Sequence, residues 1–230
     1  MAIAYVNGVG NYAPALTTTI AAPAANHTTG NLLVVFVGMN STSVTVSSIA
    51  DTAGNTYTKV TSIKDSEIND TIECWYAKNI TGNANNVVTA TFSGSVGYRT
   101  ITVDQYSGCD TSAPLDQYNT GAGENTAPTT GNITTTLANE VLVAGVYLRA
   151  FKTITAGTNY TIRTLTDPTY AYAASEDRIV SATGTYHATF SLSISTYWVT
   201  IIVSFKAAAV AGPAAVGSSM AAKMMAAGVL

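Results

Sequence analysis

Charge is scarce in this chain. Lys, Arg, Asp and Glu make up 10% of its 230 residues, against about a quarter in an ordinary soluble domain. No basic block occurs and the net charge is −3. That argues against a groove for nucleic acid and against a polybasic face for anionic lipid. Histidine is limited to His27 and His187, and neither has Cys, Asp or Glu at metal-ligand spacing. Cysteine is limited to Cys74 and Cys109, too few for a disulfide framework. One buried thiol in the run 71–76 and one loop thiol after Gly108 are expected instead. No stretch reaches the ~20 apolar residues of a membrane span. The nearest lies after Lys206, and Pro213, Gly217 and Lys223 interrupt it. Helical period is missing before residue 206. No nucleophile elbow, P-loop or dinucleotide fingerprint occurs. A non-enzymatic chain with no cofactor is the expectation.

What replaces charge is hydroxyl. Thr and Ser together form about a quarter of the chain, and Thr favours a pleated, half-exposed surface. A polar face without charge suits packing against copies of the chain or against a partner. The chain also repeats itself. Gly30-Asn31-Leu32-Leu33-Val34-Val35-Phe36-Val37 is answered by Asn139-Glu140-Val141-Leu142-Val143-Ala144-Gly145-Val146. Ala53-Gly54-Asn55-Thr56-Tyr57-Thr58 is answered by Ala156-Gly157-Thr158-Asn159-Tyr160-Thr161, and Ala90-Thr91-Phe92-Ser93 by Ala188-Thr189-Phe190-Ser191. Every repeated piece is a strand or a turn.

Strands are expected near 2–6, 16–21, 32–37, 44–49, 57–63, 72–77, 87–92 and 99–106. In the second half they are expected near 141–148, 160–165, 178–182, 187–193 and 197–205. Such spacing, with Gly, Asn and Asp between, indicates a sandwich or barrel. The expected fold is all-β: a jelly-roll-like antiparallel β-sandwich over 1–206, built from two pseudo-repeated halves. Residues 1–30 read as an N-terminal arm and 107–131 as a long crossing loop. Residues 207–230 read as an Ala/Met-rich assembly tail with a short helix at 220–227. Its adaptable apolar side chains, Met220, Met224, Met225, Val229 and Leu230, are the candidate assembly contacts.

Two acidic groups are candidates for metal: Asp65, Glu67 and Asp70, and Asp110, Asp116 and Glu124. Calcium is the ion that carboxylate and carbonyl oxygens would hold. Neither group matches a known loop motif, so solvated loops are the preferred reading. Trp75-Tyr76 and Tyr197-Trp198 occupy adjacent strand positions, so one of each pair points inward. Trp as core anchor and Tyr at the rim is expected; an outward ring could instead stack on a glycan.

The runs Gly30 to Val37, Asp51-x-x-Gly54-Asn55-x-Tyr57, Trp75-Tyr76-Ala77-Lys78-Asn79, Val88 to Phe92 and Val103-Asp104-Gln105-Tyr106-Ser107-Gly108 carry a resemblance. The stretch 25–205 resembles a loose family of β-sandwich domains found in bacteriophage structural proteins and bacterial surface proteins. Asp104 stands where that pattern more often has Glu. The resemblance implies a virion structural protein, either a capsid decoration (cement) subunit or a tail-associated one. Its partners would be copies of itself and other structural subunits. Met1-Ala2-Ile3-Ala4-Tyr5 has neither the basic nor the apolar region of a secretory leader, so assembly in a host cytoplasm is expected. The alternatives are a subunit of an extracellular fibre or surface layer, and a carbohydrate-binding sandwich.

Overall fold

The computed structural model describes residues 2–169 and 171–209. These residues form strands, turns and loops and no helix. The first half supplies β1 (Ala4–Ala13), β2 (Thr17–Ala21), β3 (Ala25–His27), β4 (Leu32–Met39), β5 (Val46–Asp51), β6 (Thr58–Asp65), β7 (Asp70–Ala77), β8 (Asn83–Asn86), β9 (Val88–Val96) and β10 (Arg99–Ser107). The second supplies β11 (Leu115–Asn125), β12 (Ile133–Thr134), β13 (Glu140–Lys152), β14 (Ile154–Thr155), β15 (Thr161–Leu165), β16 (Ala171–Val180), β17 (Thr185–Tyr186), β18 (Ser191–Leu192) and β19 (Thr196–Lys206).

Each half builds one five-stranded antiparallel sheet. The orders are β1-β10-β4-β7-β6 and β11-β19-β13-β16-β15. In both, the half's first strand lies at the edge beside its last. The two sheets stack face to face, β4 on β13, β1 and β10 on β15 and β16, and β6 and β7 on β11 and β19. Leu32, Val34, Phe36, Val141, Val143, Val199, Ile201, Val203 and Phe205 fill the space between them. Each sheet also carries a second core on its outer face. Leu33, Val35 and Val37 meet Ile20, Val46 and Phe92 of the three-stranded sheet β2-β9-β5. Leu142, Ala144 and Val146 meet Ile133, Ile154 and Leu192 from the short pairs β12-β17 and β14-β18. Both faces of β4 and β13 are therefore covered. That is why 32–37 and 141–148 read as unbroken apolar runs rather than alternating ones.

Several expectations need correction. The segment 107–131 is not a crossing loop: it contains β11, eleven residues long, at the edge of the second sheet. The segment 1–30 is not an arm, because β1 is the edge strand of the first sheet and β2 and β3 belong to its cover. The strand expected at 178–182 runs instead from Ala171 to Val180. Of 187–193, only Ser191–Leu192 is strand. Cys109 is no loop thiol but is buried, with its backbone bridged to Ala207. The tail helix at 220–227 lies outside the described residues.

The halves share an order but not an interface chemistry. The sequence repeat matches Leu33 with Leu142, so Phe36 corresponds to Gly145 and Gly38 to Tyr147. In the stacked sheets these positions meet their own counterparts. A Cβ on Gly145 would overlap the ring of Phe36, and one on Gly38 would overlap the ring of Tyr147. Each half thus supplies one knob and one hole. Two identical halves would set ring on ring at one level and leave a void at the other.

The same divergence continues sideways. β10 presents Thr100, Thr102, Asp104 and Tyr106 to the interface, whereas β19 presents Val199, Ile201, Val203 and Phe205. The register makes these equivalent pairs: Asp104 lies opposite Val34, and Val203 opposite Val143. Tyr76 and Asp177 likewise both pair with that central position. Val60 and Arg163 both sit at a bulge in their edge strands. One flank of the interface is therefore apolar and the other polar.

Gly145→Ala is expected to destabilise the protein by about 1–3 kcal/mol, the usual cost of overpacking. Adding Phe36→Leu should recover a large part of that loss. Urea unfolding of the two single variants and the double variant measures it; simple additivity would show that the two sites do not touch.

Candidate functional site

At one end of the interface the two halves together enclose an aromatic cleft of about 250 Å³, lined by Asn40, Tyr98, Tyr147, Arg149 and Tyr172. Asn40 follows β4, and Tyr98 occupies the tight turn between β9 and β10. Tyr147 and Arg149 come from β13 and Tyr172 from β16. Tyr172 is the hub of a ring cluster beside it. Its ring stacks on Tyr12 at 4.5 Å and 22° and meets Phe151 at 4.0 Å and 48°. Tyr98 approaches it edge-on at 6.1 Å. Offset and edge-to-face pairs of this kind each add about 0.5–1.5 kcal/mol beyond burial. Tyr98 and Phe151 nevertheless remain 48% and 42% exposed.

The polar groups of the cleft are fixed by their own partners. The Tyr147 hydroxyl donates to the Tyr98 carbonyl at 2.7 Å. Arg149 Nη1 donates to the Ile68 carbonyl at 2.8 Å and to Asp70 Oδ1 at 3.2 Å. Asn40 Nδ2 donates to the same Asp70 oxygen at 2.7 Å. Asp70 is buried, and burial raises its pKa against the opposing pull of Asn40 and Arg149. Below the cleft, Arg99 ties down the corner after β1 by donating to Thr17 Oγ1 and to the carbonyls of Thr19 and Ala15.

Tyr98 has a φ of +49°. A bulky L-residue in that region costs about 1–2 kcal/mol, and glycine is its usual occupant. Here Gly97 precedes it instead. The strained turn holds a large, half-exposed ring at the mouth of the cleft.

The polar flank of the interface is a second cluster. Asp104 Oδ1 accepts from Thr164 Oγ1 at 2.7 Å. Asp177 Oδ1 accepts from Arg163 Nε at 2.8 Å, and that guanidinium lies 4.3 Å from the centre of the Tyr5 ring. The hydroxyls of Ser175 and Tyr106 face Asp104 and Asp177 without reaching good hydrogen-bond geometry. Burial pushes Asp104 up to about 6 and raises Asp177. This cluster is sealed between sheets and joins the halves.

At the far end of β1 lies a larger, apolar groove of about 540 Å³. Its walls include Ile3, Leu137, Ile179 and Ala207 to Ala209. Leu137 and Ile179 are 52% and 48% exposed.

The side chains singled out in the sequence fall elsewhere. Met220, Met224, Met225, Val229 and Leu230 lie outside the described residues. Asp65 caps the turn at Glu67, Asp110 caps its own turn, and Asp116 accepts from Thr136. Among the described residues no three His, Cys, Asp or Glu side chains converge as a metal site. His27 is not in a turn but at the end of β3, buried, with Nδ1 2.9 Å from Asn86 Nδ2. His187 is exposed and lies outside any strand. Trp198 is the core anchor expected of it. In the other pair the roles are reversed: Tyr76 points inward against Phe205, and Trp75 is half-buried on the outer face. The buried Glu73 explains the reversal, because it accepts from Trp75 Nε1 at 3.1 Å and pairs with Lys59 at 2.7 Å. The aromatic cleft escaped the sequence reading because Tyr12, Tyr98, Tyr147 and Tyr172 are far apart in the chain. The one local signal was Tyr98 in a turn next to Gly97. Comparison with protein-family models, with curated proteins and with solved structures finds no match.

Buried carboxyls set the pH response. Burial pushes Glu140 up to about 7 and Glu176 up to about 8, alongside Asp104 at about 6. The native state holds these protons more tightly than the unfolded chain does. Their contribution is complete below the ordinary carboxyl range and is lost as pH rises through those values. Asp51 behaves oppositely: burial raises its pKa, but donors from Asn86, Asn55 and Tyr57 outweigh that and lower it. Stability is therefore expected to peak at about pH 4–5 and to decline towards about pH 8. Glu176→Gln keeps an acceptor for the Gly157 amide (2.9 Å) and should flatten the upper part of that decline. Urea midpoints across pH test this; a wild-type curve flat from mildly acid to mildly alkaline pH would refute it.

Proposed function

We propose that this chain is a non-enzymatic structural subunit of a large assembly, a bacteriophage capsid decoration or tail-associated protein. The observation that carries this reading is the apolar groove beside the start of β1 and the end of β19. Leu137 and Ile179 present large apolar surface there, beside Ile3 and Ala207 to Ala209. Exposed large apolar side chains gathered in one groove mark an interaction site. The sequence that follows, residues 210–230, is rich in Ala, Met and Val and has one charged side chain, Lys223. An apolar segment and an apolar groove on the same chain are complementary when one copy's segment meets another copy's groove. Between them stands a rigid body of stacked sheets whose own cores are already closed. A body of this kind contributes shape, and its terminus contributes contacts. The same features would serve a subunit of an extracellular fibre, which differs in polymerising without a particle.

The test is assembly. The full chain is expected to form oligomers in analytical ultracentrifugation and to co-sediment with particles on a density gradient. Ile179→Glu and Leu137→Glu should abolish both while leaving the unfolding midpoint nearly unchanged, since both side chains are about half exposed already. A monomeric wild-type chain absent from the particle fraction would overturn the proposal. Filaments of the chain alone would move it to the fibre reading.

A further inference from the structure

We infer that the aromatic cleft between the halves is a binding site for a neutral saccharide. The inference goes beyond the assembly reading and rests on different residues at the other end of β1. Ile3 and Tyr12 are nine residues apart on one extended run, about 30 Å at ~3.3 Å per residue.

Three observations carry it. The first is the wall chemistry. Tyr98, Tyr147 and Tyr172 line one cavity together with Asn40 and Arg149. A pyranose needs that mixture, because it has apolar C–H faces for rings and a rim of hydroxyls for donors and acceptors. The second is preorganisation. The Asn40 amide, the Arg149 guanidinium and the Tyr147 hydroxyl each spend a hydrogen bond on the protein, which fixes their direction. Asn40 Oδ1 and the remaining Arg149 nitrogens have no hydrogen bond to another described residue and are left for a ligand. The third is strain. Tyr98 is held at positive φ in a turn where glycine would fit without cost, and its ring is 48% exposed. Backbone strain of this kind clusters at ligand clamps and active sites.

Charge and size select the ligand class. Among the described residues lining the cleft the cation is Arg149, and it is already paired with Asp70 at 3.2 Å, so these residues present no uncompensated charge to an anion. A volume of about 250 Å³ lies below the ~300–1,000 Å³ of sites for drug-sized ligands. It suits one ring, with the rest of an oligosaccharide passing over Phe151. A proline-rich peptide also favours aromatic walls, but it needs an elongated groove rather than a single compact cleft.

The experiment uses the full chain and four probes: maltohexaose, chitotetraose, sialyllactose and a decaproline peptide. Binding is read by saturation-transfer NMR and isothermal titration. One of the two neutral oligosaccharides is expected to bind saturably and with little dependence on salt. Tyr98→Gly should weaken that binding at least tenfold while leaving the unfolding midpoint unchanged or higher, because glycine relieves the turn. Tyr98→Phe, which keeps the ring, should stay close to wild type. Failure of both neutral oligosaccharides at millimolar concentration overturns the inference. So does undiminished binding by Tyr98→Gly, or binding of sialyllactose or decaproline alone. Ile179→Glu, at the far groove, should bind sugar normally, so failure of the assembly reading leaves this result untouched.

Discussion

The structure depends on two aromatic rings seated on two glycines. Phe36 fills the space over Gly145, and Tyr147 fills the space over Gly38. These contacts set the separation of the two central strands, β4 and β13, and everything else between the sheets packs to that spacing. The knobs come from different halves and sit at different levels. That arrangement cannot be made by two identical units related by symmetry, because each level would then hold two rings or none. The halves are the same in strand order and complementary in side chains, and the pair is specified as a pair.

The flanks of the interface divide the remaining task. On one side Val60, Tyr76, Val203 and Phe205 bury apolar surface, a favourable but non-directional contribution. On the other, the equivalent positions carry Arg163, Asp177, Asp104 and Tyr106. Hydrogen bonds there have narrow geometric demands. Asp104 to Thr164 and Asp177 to Arg163 hold strands in place laterally where an apolar face would tolerate a slip. Burying carboxyls costs stability, and the raised pKa of Asp104 is the measure of that cost. Of these pairs, Tyr106 for Phe205 nearly keeps its volume, whereas Arg163 for Val60 and Asp177 for Tyr76 change size as well as polarity, so the two flanks are packed differently.

Legibility in the sequence followed the kind of burial each segment has. β4 and β13 were readable because they are covered on both faces and so read as nearly continuous apolar runs, and β19 because Val199, Ile201, Val203 and Phe205 keep strand alternation. β11 was not, since Leu115–Asn125 is an edge strand, half-exposed throughout and interrupted by Gly121 and Gly123. One of those glycines lies against the Trp198 ring and the other against the Thr129 carbonyl, which no local pattern announces. β16 hid for another reason: Ser175, Glu176 and Asp177 look like a solvated loop and are buried. The hydrogen-bond partners of Glu176 and Asp177, Gly157 and Arg163, lie 14–19 residues away on other segments. β1 looked like a polar, glycine-bearing arm because its neighbour β10 lies about ninety residues on. Side-chain clusters were less legible than strands. Every element of the aromatic cleft comes from a different part of the chain, and only the stacking of the halves brings them together.

That stacking also explains why, among the described residues, this cleft has no counterpart at the equivalent positions of the other half. Tyr147 serves both structures: its ring fills the space at Gly38, and its hydroxyl holds the carbonyl of Tyr98. Its counterpart in the first half is Gly38 itself, so the mirror arrangement lacks the residue that would anchor a second turn. Tyr12 pairs with Thr100 where, in the second half, Ala122 pairs with Val199, so the neighbouring ring is missing there as well. The asymmetry that lets the halves fit is therefore the same asymmetry that leaves aromatic surface at one end of the interface. Among the described residues, two halves of like strand order thus present this chemistry at one end of their interface.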